Sequence, residues 1–153
     1  MPRAAALLVF LLLTASVALF AAQFEPGAWY ASLAKPSWTP PDAIFAPVWS
    51  VLYVMIALAG WLAWRARPEP ASSNTPVLIW AIALVLNGLW SGLFFGLHVI
   101  GPALLEIGLL WLAIFAFILT AWSRSRAAAL LFVPYLAWVS YAAALNAAIW
   151  GLM

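Results

Sequence analysis

The chain has 153 residues, 69% of them hydrophobic and 7% charged, with a net charge of +2 and no cysteine. Soluble domains typically carry about 25% charged residues, so this composition makes lipid the expected surroundings and leaves no polar stretch long enough for a separate soluble domain. Six scattered basic residues exclude a nucleic-acid surface. The lack of cysteine excludes disulfides, thiolate metal ligands and thiol nucleophiles.

Five apolar segments, each near the roughly 20 residues that cross a bilayer core, run over about 4–22, 43–64, 76–97, 102–122 and 127–152. Leucine- and alanine-rich runs lack the alternation of barrel strands, and helices satisfy their own backbone in hydrocarbon. The predicted fold is an all-α membrane protein. It is a five-transmembrane-helix bundle forming one domain over 1–153, with a long structured loop between the first and second helices. The first span, after Met1-Pro2-Arg3 and ending near Ala21 and Ala22, resembles a secretory signal. Its apolar run of roughly 19 residues exceeds the usual 7–15, which favours a retained helix.

The loop that follows is the densest aromatic and proline segment of the chain. It holds Trp29-Tyr30, then Lys35-Pro36-Ser37-Trp38-Thr39-Pro40-Pro41-Asp42, and leads into Phe45-Ala46-Pro47-Val48-Trp49 and Tyr53. Prolines stiffen the backbone and rings offer stacking surface, so the segment reads as an aromatic lid. Asp42 is placed to cap the second helix. Phe45, Trp49, Leu52 and Ile56 share one face of that helix, with Tyr53 one turn beyond Trp49.

A polar connector from Arg65 to Thr75, including Pro68, Glu69, Pro70, Ser72, Ser73 and Asn74, leads to the third span. Thr75-Pro76, like Gly101-Pro102 further on, puts proline at a first helical position. Asn87, Trp90, Ser91 and Phe94 run along one side of the third span. Beside them Gly88, Gly92 and Gly96 form a small-residue ridge suited to close approach by another helix, of the same chain or of a second copy. His98 ends the span on the lid side, where an interfacial role is favoured over ligation of haem iron. Glu106 is the one acid well inside a span. Such a carboxylate is a functional candidate, with a place at the interface or near its helix N-terminus as the alternative. The tight connector from Ser123 to Arg126 makes the last two spans antiparallel neighbours. The fifth carries Tyr135, Trp138, Ala142 and Asn146 along one face, with Pro134 expected to bend it.

Each stripe sets an indole beside a hydrogen-bonding group. Converging, they would line a pocket for a large, flat, mostly apolar molecule; the alternative is helix packing or the interfacial belt. Trp61, Trp64, Trp80, Trp122 and Trp150, near span ends, are assigned to the belt, and Trp49 and Trp138 to the pocket. Asn87 and Asn146, at hydrocarbon depth, need a helix partner, a cavity or a ligand. Arg3, Arg65, Arg67, Arg124 and Arg126 fall on one side and Lys35 alone on the other. The N-terminus is therefore expected in the cytoplasm, with the loop and C-terminus opposite. No phosphate-cradling glycine loop, metal-ligand cluster or nucleophile–histidine–acid set is visible.

These motifs, together with Asn87-Gly88-Leu89-Trp90-Ser91-Gly92, Phe94-Phe95-Gly96, Pro134-Tyr135-Leu136-Ala137-Trp138 and Leu145-Asn146, resemble the tryptophan-rich sensory protein or translocator protein (TspO/MBR) family. It is also called the peripheral-type benzodiazepine receptor family. The likeness runs from about Phe24 to the C-terminus. It implies a bacterial inner-membrane homodimer binding porphyrins such as protoporphyrin IX or haem as ligand rather than required cofactor. By resemblance the pocket falls on Trp29, Tyr30, Trp38, Phe45, Trp49, Asn87, Trp90, Tyr135 and Trp138, to which the stripes add Tyr53 and Asn146. Gly88, Gly92 and Gly96 are the expected dimer seam. Some bacterial members are reported to degrade porphyrin in light, with tryptophans at the positions of Trp49 and Trp138. No basic residue follows the fifth helix, unlike the eukaryotic sterol-binding pattern. Arg126, Phe132 and Leu136 fit only a loose inverted one. Porphyrin binding in sensing, sequestration or trafficking ranks first. Light-dependent porphyrin breakdown is second and transport third, since no inverted repeat is visible. Lys35 or lid amides are expected to receive the porphyrin propionates.

Overall fold

A computed structural model describes residues 2–24, 26–67 and 74–153. Most of the polar connector, with Pro68, Glu69, Pro70, Ser72 and Ser73, lies outside the described residues, as does Met1. The described chain is all α. Helix α1 (Arg3–Ala21) is followed by the short lid helix α2 (Ala28–Ser32) and a 3-10 turn (Asp42–Ile44). Then come α3 (Phe45–Arg65), α4 (Thr75–Ser91), α5 (Ile100–Trp122) and α6 (Arg126–Gly151). Five segments are long and apolar enough to span a membrane: Arg3–Ala21, Asp42–Arg65, Thr75–Gly96, Ile100–Trp122 and Arg126–Gly151. The chain is a multi-pass membrane protein, and leucines such as Leu8, Leu78, Leu105 and Leu119 cover its outside, where lipid replaces water.

Local signals set several of the helix ends. Ser125 caps α6 by accepting the Ala128 amide at 3.3 Å. Pro76 and Pro102 sit in first turns, where a missing amide donor costs no helical bond. Asp42 does not cap α3 as expected: it opens the 3-10 turn, and no side chain caps either element. Helix α6 continues through Pro134, whose ring lies on the exposed side. Helix α4 ends in a π-helical turn (Gly92–Gly96), closed by Leu97 N donating to Gly92 O at 2.8 Å. After it His98 adopts φ 58°, so the chain reverses in the left-handed region into α5.

Helix α1 packs on α3 and α4 and buries Ala6, Phe10 and Thr14. Its tightest contact is made by a glycine. A Cβ on Gly60 would lie 2.5 Å from the Trp80 indole and 2.8 Å from the Phe10 ring. Trp80 was assigned to the interfacial belt, yet it is only 2% exposed. Its Nε1 donates to Ile56 O at 2.8 Å and Phe10 meets it edge-on at 4.8 Å, so the vacancy left by Gly60 draws this indole into the core. The glycine ridge of α4 faces Val17, Phe20 and Phe24 of the same chain; a Cβ on Gly96 would come within 2.8 Å of Phe24. That side of the ridge therefore seats α1 and the start of the lid rather than a second copy.

The Gly60→Ala substitution should lower thermal stability in detergent by about 1–3 kcal/mol, the usual cost of overpacking. Gly108→Ala, where nothing lies within 4 Å, should leave the melting temperature unchanged or slightly raised. Equal melting temperatures for the two variants would contradict this packing.

Candidate functional site

A hollow of about 530 Å³ opens below the lid, between the C-terminal half of α1, the start of α3 and the end of α4. Phe45, Trp49 and Tyr53 come from α3, and Trp90, Ser91 and Phe95 from α4 and its π-helical turn. Helix α1 contributes Ala18, Leu19, Ala21 and Ala22, and the chain after it Phe24 and Pro26. Asp42, Ser50 and Ser91 add polar groups to an otherwise apolar and aromatic wall.

Two asparagines organise the wall from behind. Tyr53 donates its hydroxyl to Asn87 Oδ1 at 2.8 Å, and Asn87 Nδ2 donates to the Tyr135 hydroxyl at 3.0 Å, so one amide joins α3, α4 and α6. Trp90 Nε1 donates to Asn146 Oδ1 at 3.2 Å, and Asn146 Nδ2 donates to Ile100 O at 3.0 Å, joining α4, α6 and the start of α5. Both amides are buried, where an unpaired one would be costly in hydrocarbon. Trp49 lies 5.4 Å from the Tyr53 ring and meets Tyr135 edge-on at 6.3 Å. Trp90 stacks on Phe94 at 5.2 Å.

Of the residues singled out from sequence, the structure brings Phe45, Trp49, Tyr53 and Trp90 to the hollow and sets Asn87, Tyr135 and Asn146 in its supporting bonds. Trp138 does not line it. Its ring meets Phe45 edge-on at 5.9 Å and tilts against Tyr141 at 5.8 Å, so Phe45 stands between Trp138 and the hollow. Trp38 belongs to that second aromatic group: it meets Tyr141 edge-on at 5.6 Å, and Tyr141 donates its hydroxyl to Trp38 O at 2.7 Å.

Trp29 and Tyr30 anchor the lid rather than line the hollow. Trp29 stacks on His98 at 3.9 Å and meets Phe94 edge-on, so His98 helps to seat the lid. Tyr30 is buried against Phe94 and Phe95. Burial, with Asp42 and Tyr141 adding to it, pushes its hydroxyl up to about 12, so it stays neutral at physiological pH. Lys35 turns back on the lid: its ammonium donates to Tyr30 O, Ala31 O and Leu33 O and lies 4.7 Å over the Tyr30 ring. It closes α2 and is not presented to the hollow, because the short helix leaves carbonyls in need of donors. Glu106 is buried within the bundle, and neither carboxylate oxygen has a hydrogen-bond partner among the described residues.

The sequence reading missed α1 as a wall. Ala18, Ala21 and Ala22 carry the signal: small side chains at this end of α1 leave room beside the helix, although Ala21 and Ala22 also fit a cleavage-site pattern.

A five-span bundle with a clamped lid over an aromatic hollow defines a multi-pass membrane protein with a covered apolar cavity. Residues 5–151 match the TspO/MBR family, and the chain belongs to it. It is 40% identical over 129 residues to protein CrtK of Rhodobacter capsulatus, covering 84% of this chain and 81% of that protein. It is 41% identical over 130 residues to the tryptophan-rich protein TspO of Chlorobaculum tepidum, covering 80% and 78%. The human translocator protein is 35% identical over 123 residues, covering 80% and 73%.

Replacing Tyr53 or Tyr135 with Phe should each cost about 0.6 kcal/mol, typical of an interhelical hydrogen bond in a membrane, and the two should be coupled through Asn87. Thermal melts of both singles and the double give the coupling. Strict additivity would mean that the amide does not bridge the two rings.

Proposed function

We propose that this protein binds a tetrapyrrole, such as protoporphyrin IX or haem, in the hollow below the lid, and so senses, sequesters or passes porphyrins. The observation that carries the reading is the wall itself. Rings from α3 and α4 surround a space within the roughly 300–1,000 Å³ range of small-molecule sites, with few polar groups. Trp49 and Trp90 offer flat faces; the Asn146 bond holds Trp90, the Asn87 bonds hold the Tyr53 and Tyr135 rings that Trp49 packs against, and small residues of α1 leave room on the opposite side. Ring contacts at Trp29, Tyr30 and Trp38 hold the lid, so ligand admission requires either its displacement or a lateral path past α1. Membership in a family that includes the relatives above supports a ligand of this class. The arginine-rich end is assigned to the cytoplasm of a bacterial inner membrane by the positive-inside rule. A homodimer, implied by the family, would use faces other than the α1-facing side of Gly88 and Gly96.

Titration with protoporphyrin IX, followed by quenching of tryptophan fluorescence, tests this. Trp49→Leu should weaken binding about three- to tenfold, the worth of one stacking face. Trp138→Leu, one ring removed, should change it less than about twofold in the dark. Unchanged affinity for Trp49→Leu would reject the hollow as the site. Asp42 sits at the hollow as a like charge to the porphyrin propionates, so Asp42→Asn should tighten binding, and more so at low salt. A looser complex in that variant would mean that Asp42 contacts the ligand as an acceptor.

A second reading is light-dependent oxidation of the bound porphyrin by dissolved oxygen. It is favoured by the run of oxidisable rings Trp49, Tyr53 and Tyr135, which could supply electrons to an excited macrocycle. It requires Soret absorbance to fall faster under illumination with protein than for free pigment, and more slowly in Trp49→Phe. Decay no faster than that of free pigment leaves binding alone.

A further inference from the structure

The opposite end of the bundle holds a second hollow, of about 500 Å³ and of different chemistry. Arg3, Arg65 and Arg67 line it together with Trp64 and Ser125, and no carboxylate lines it among the described residues. Three helix ends meet there: the start of α1, the end of α3 and the turn into α6. We propose that this hollow seats the phosphate of an anionic phospholipid headgroup from the surrounding bilayer.

Indoles help to position these arginines. Trp61 donates its Nε1 to Arg3 O at 3.1 Å, and the Arg65 guanidinium lies 4.6 Å over the same ring. One indole thus ties the start of α1 to the end of α3. The Arg67 guanidinium lies 4.3 Å over Trp64. A guanidinium on an aromatic face keeps its edge donors directed outward, and those donors match phosphate oxygens two at a time. Ser125 uses its oxygen to accept the Ala128 amide, so its hydroxyl proton is left to donate.

Position favours a lipid over a soluble phosphate. Tryptophans at span ends mark headgroup depth, and Trp61, Trp64 and the exposed Trp122 ring this end. Exposed leucines such as Leu8 and Leu12 on α1 set this end of the bundle directly beside the hydrocarbon in which acyl chains lie. Arg124 and Arg126, next to Ser125, raise the potential of the same face without lining the hollow. The proposal is independent of what the lid-side hollow binds.

Native mass spectrometry of the full chain, released from nanodiscs of mixed phosphatidylglycerol and phosphatidylcholine, tests it. The unaltered chain should retain phosphatidylglycerol in preference to phosphatidylcholine. Arg3→Gln with Arg65→Gln should lower that retention by about tenfold or more per arginine, as for the loss of a charge-assisted hydrogen bond to phosphate. Both side chains are exposed, so the core should stay intact, and an unchanged melting curve checks this. Arg124→Gln with Arg126→Gln removes the same charge from the same face but outside the hollow, and should lower retention by at most about fivefold per arginine, the worth of surface attraction alone. Arg65→Lys, which keeps the charge but not the planar fork, should lose part of the retention, though less than Arg65→Gln. Equal losses in the two double variants would overturn the site in favour of a diffuse positive surface. No preference for phosphatidylglycerol in the unaltered chain, or its displacement by excess inorganic phosphate, would overturn the lipid assignment.

Discussion

A primary amide in hydrocarbon needs an acceptor for its nitrogen and a donor for its oxygen, and water supplies neither. Asn87 and Asn146 each find both on neighbouring helices: Asn87 between Tyr53 and Tyr135, Asn146 between Trp90 and Ile100 O. Apolar helix faces in lipid pack with little preference, since lipid tails are as apolar as leucine. The two amides supply the preference. They fix α4 against α3, α5 and α6 in rotation and in height, and with it the rings of Tyr53 and Trp90 that face the lid-side hollow.

Size complements this polar constraint. Along α1 the chain is closely seated at Phe10, against Gly60 and Trp80, and again where Phe20 and Phe24 meet the glycines of α4. Along the stretch from Phe10 to Phe24, Ala18, Ala21 and Ala22 leave the space that becomes the hollow. Close packing and open volume on one helix thus follow from where glycine and alanine fall. The lid is held by a different means. Trp29 on His98, Tyr30 against Phe94 and Phe95, and Trp38 with Tyr141 are ring contacts of modest individual worth spread along the loop. Such a cover is well placed yet separable in parts, as a cover over a ligand space must be.

The two ends of the bundle divide the chemistry. At the lid end the wall is aromatic and the one lining charge is Asp42 among the described residues; at the other end three arginines line a polar hollow. Tryptophan serves both. Below the lid its face is turned to a cavity, and at the far end the same face carries a guanidinium.

Five spans, their helical character and the aromatic loop could be read from the residues alone, because the demand for about 20 apolar residues per crossing and for internally bonded backbone is local. The need of Asn87 and Asn146 for partners was legible for the same reason: it follows from the chemistry of one side chain in one solvent. Their partners were not, nor was the burial of Trp80, which sits near a span end like Trp61 but meets a glycine on the facing helix. Trp49 and Trp138 carry equivalent sequence signals, an indole beside polar groups on an amphipathic stripe. Helix rotation and the ring of Phe45 placed one at the hollow and the other behind it. Periodicity tells which residues share a face; what that face meets depends on the volumes and hydrogen bonds of every other helix, and these come together only in the packed bundle.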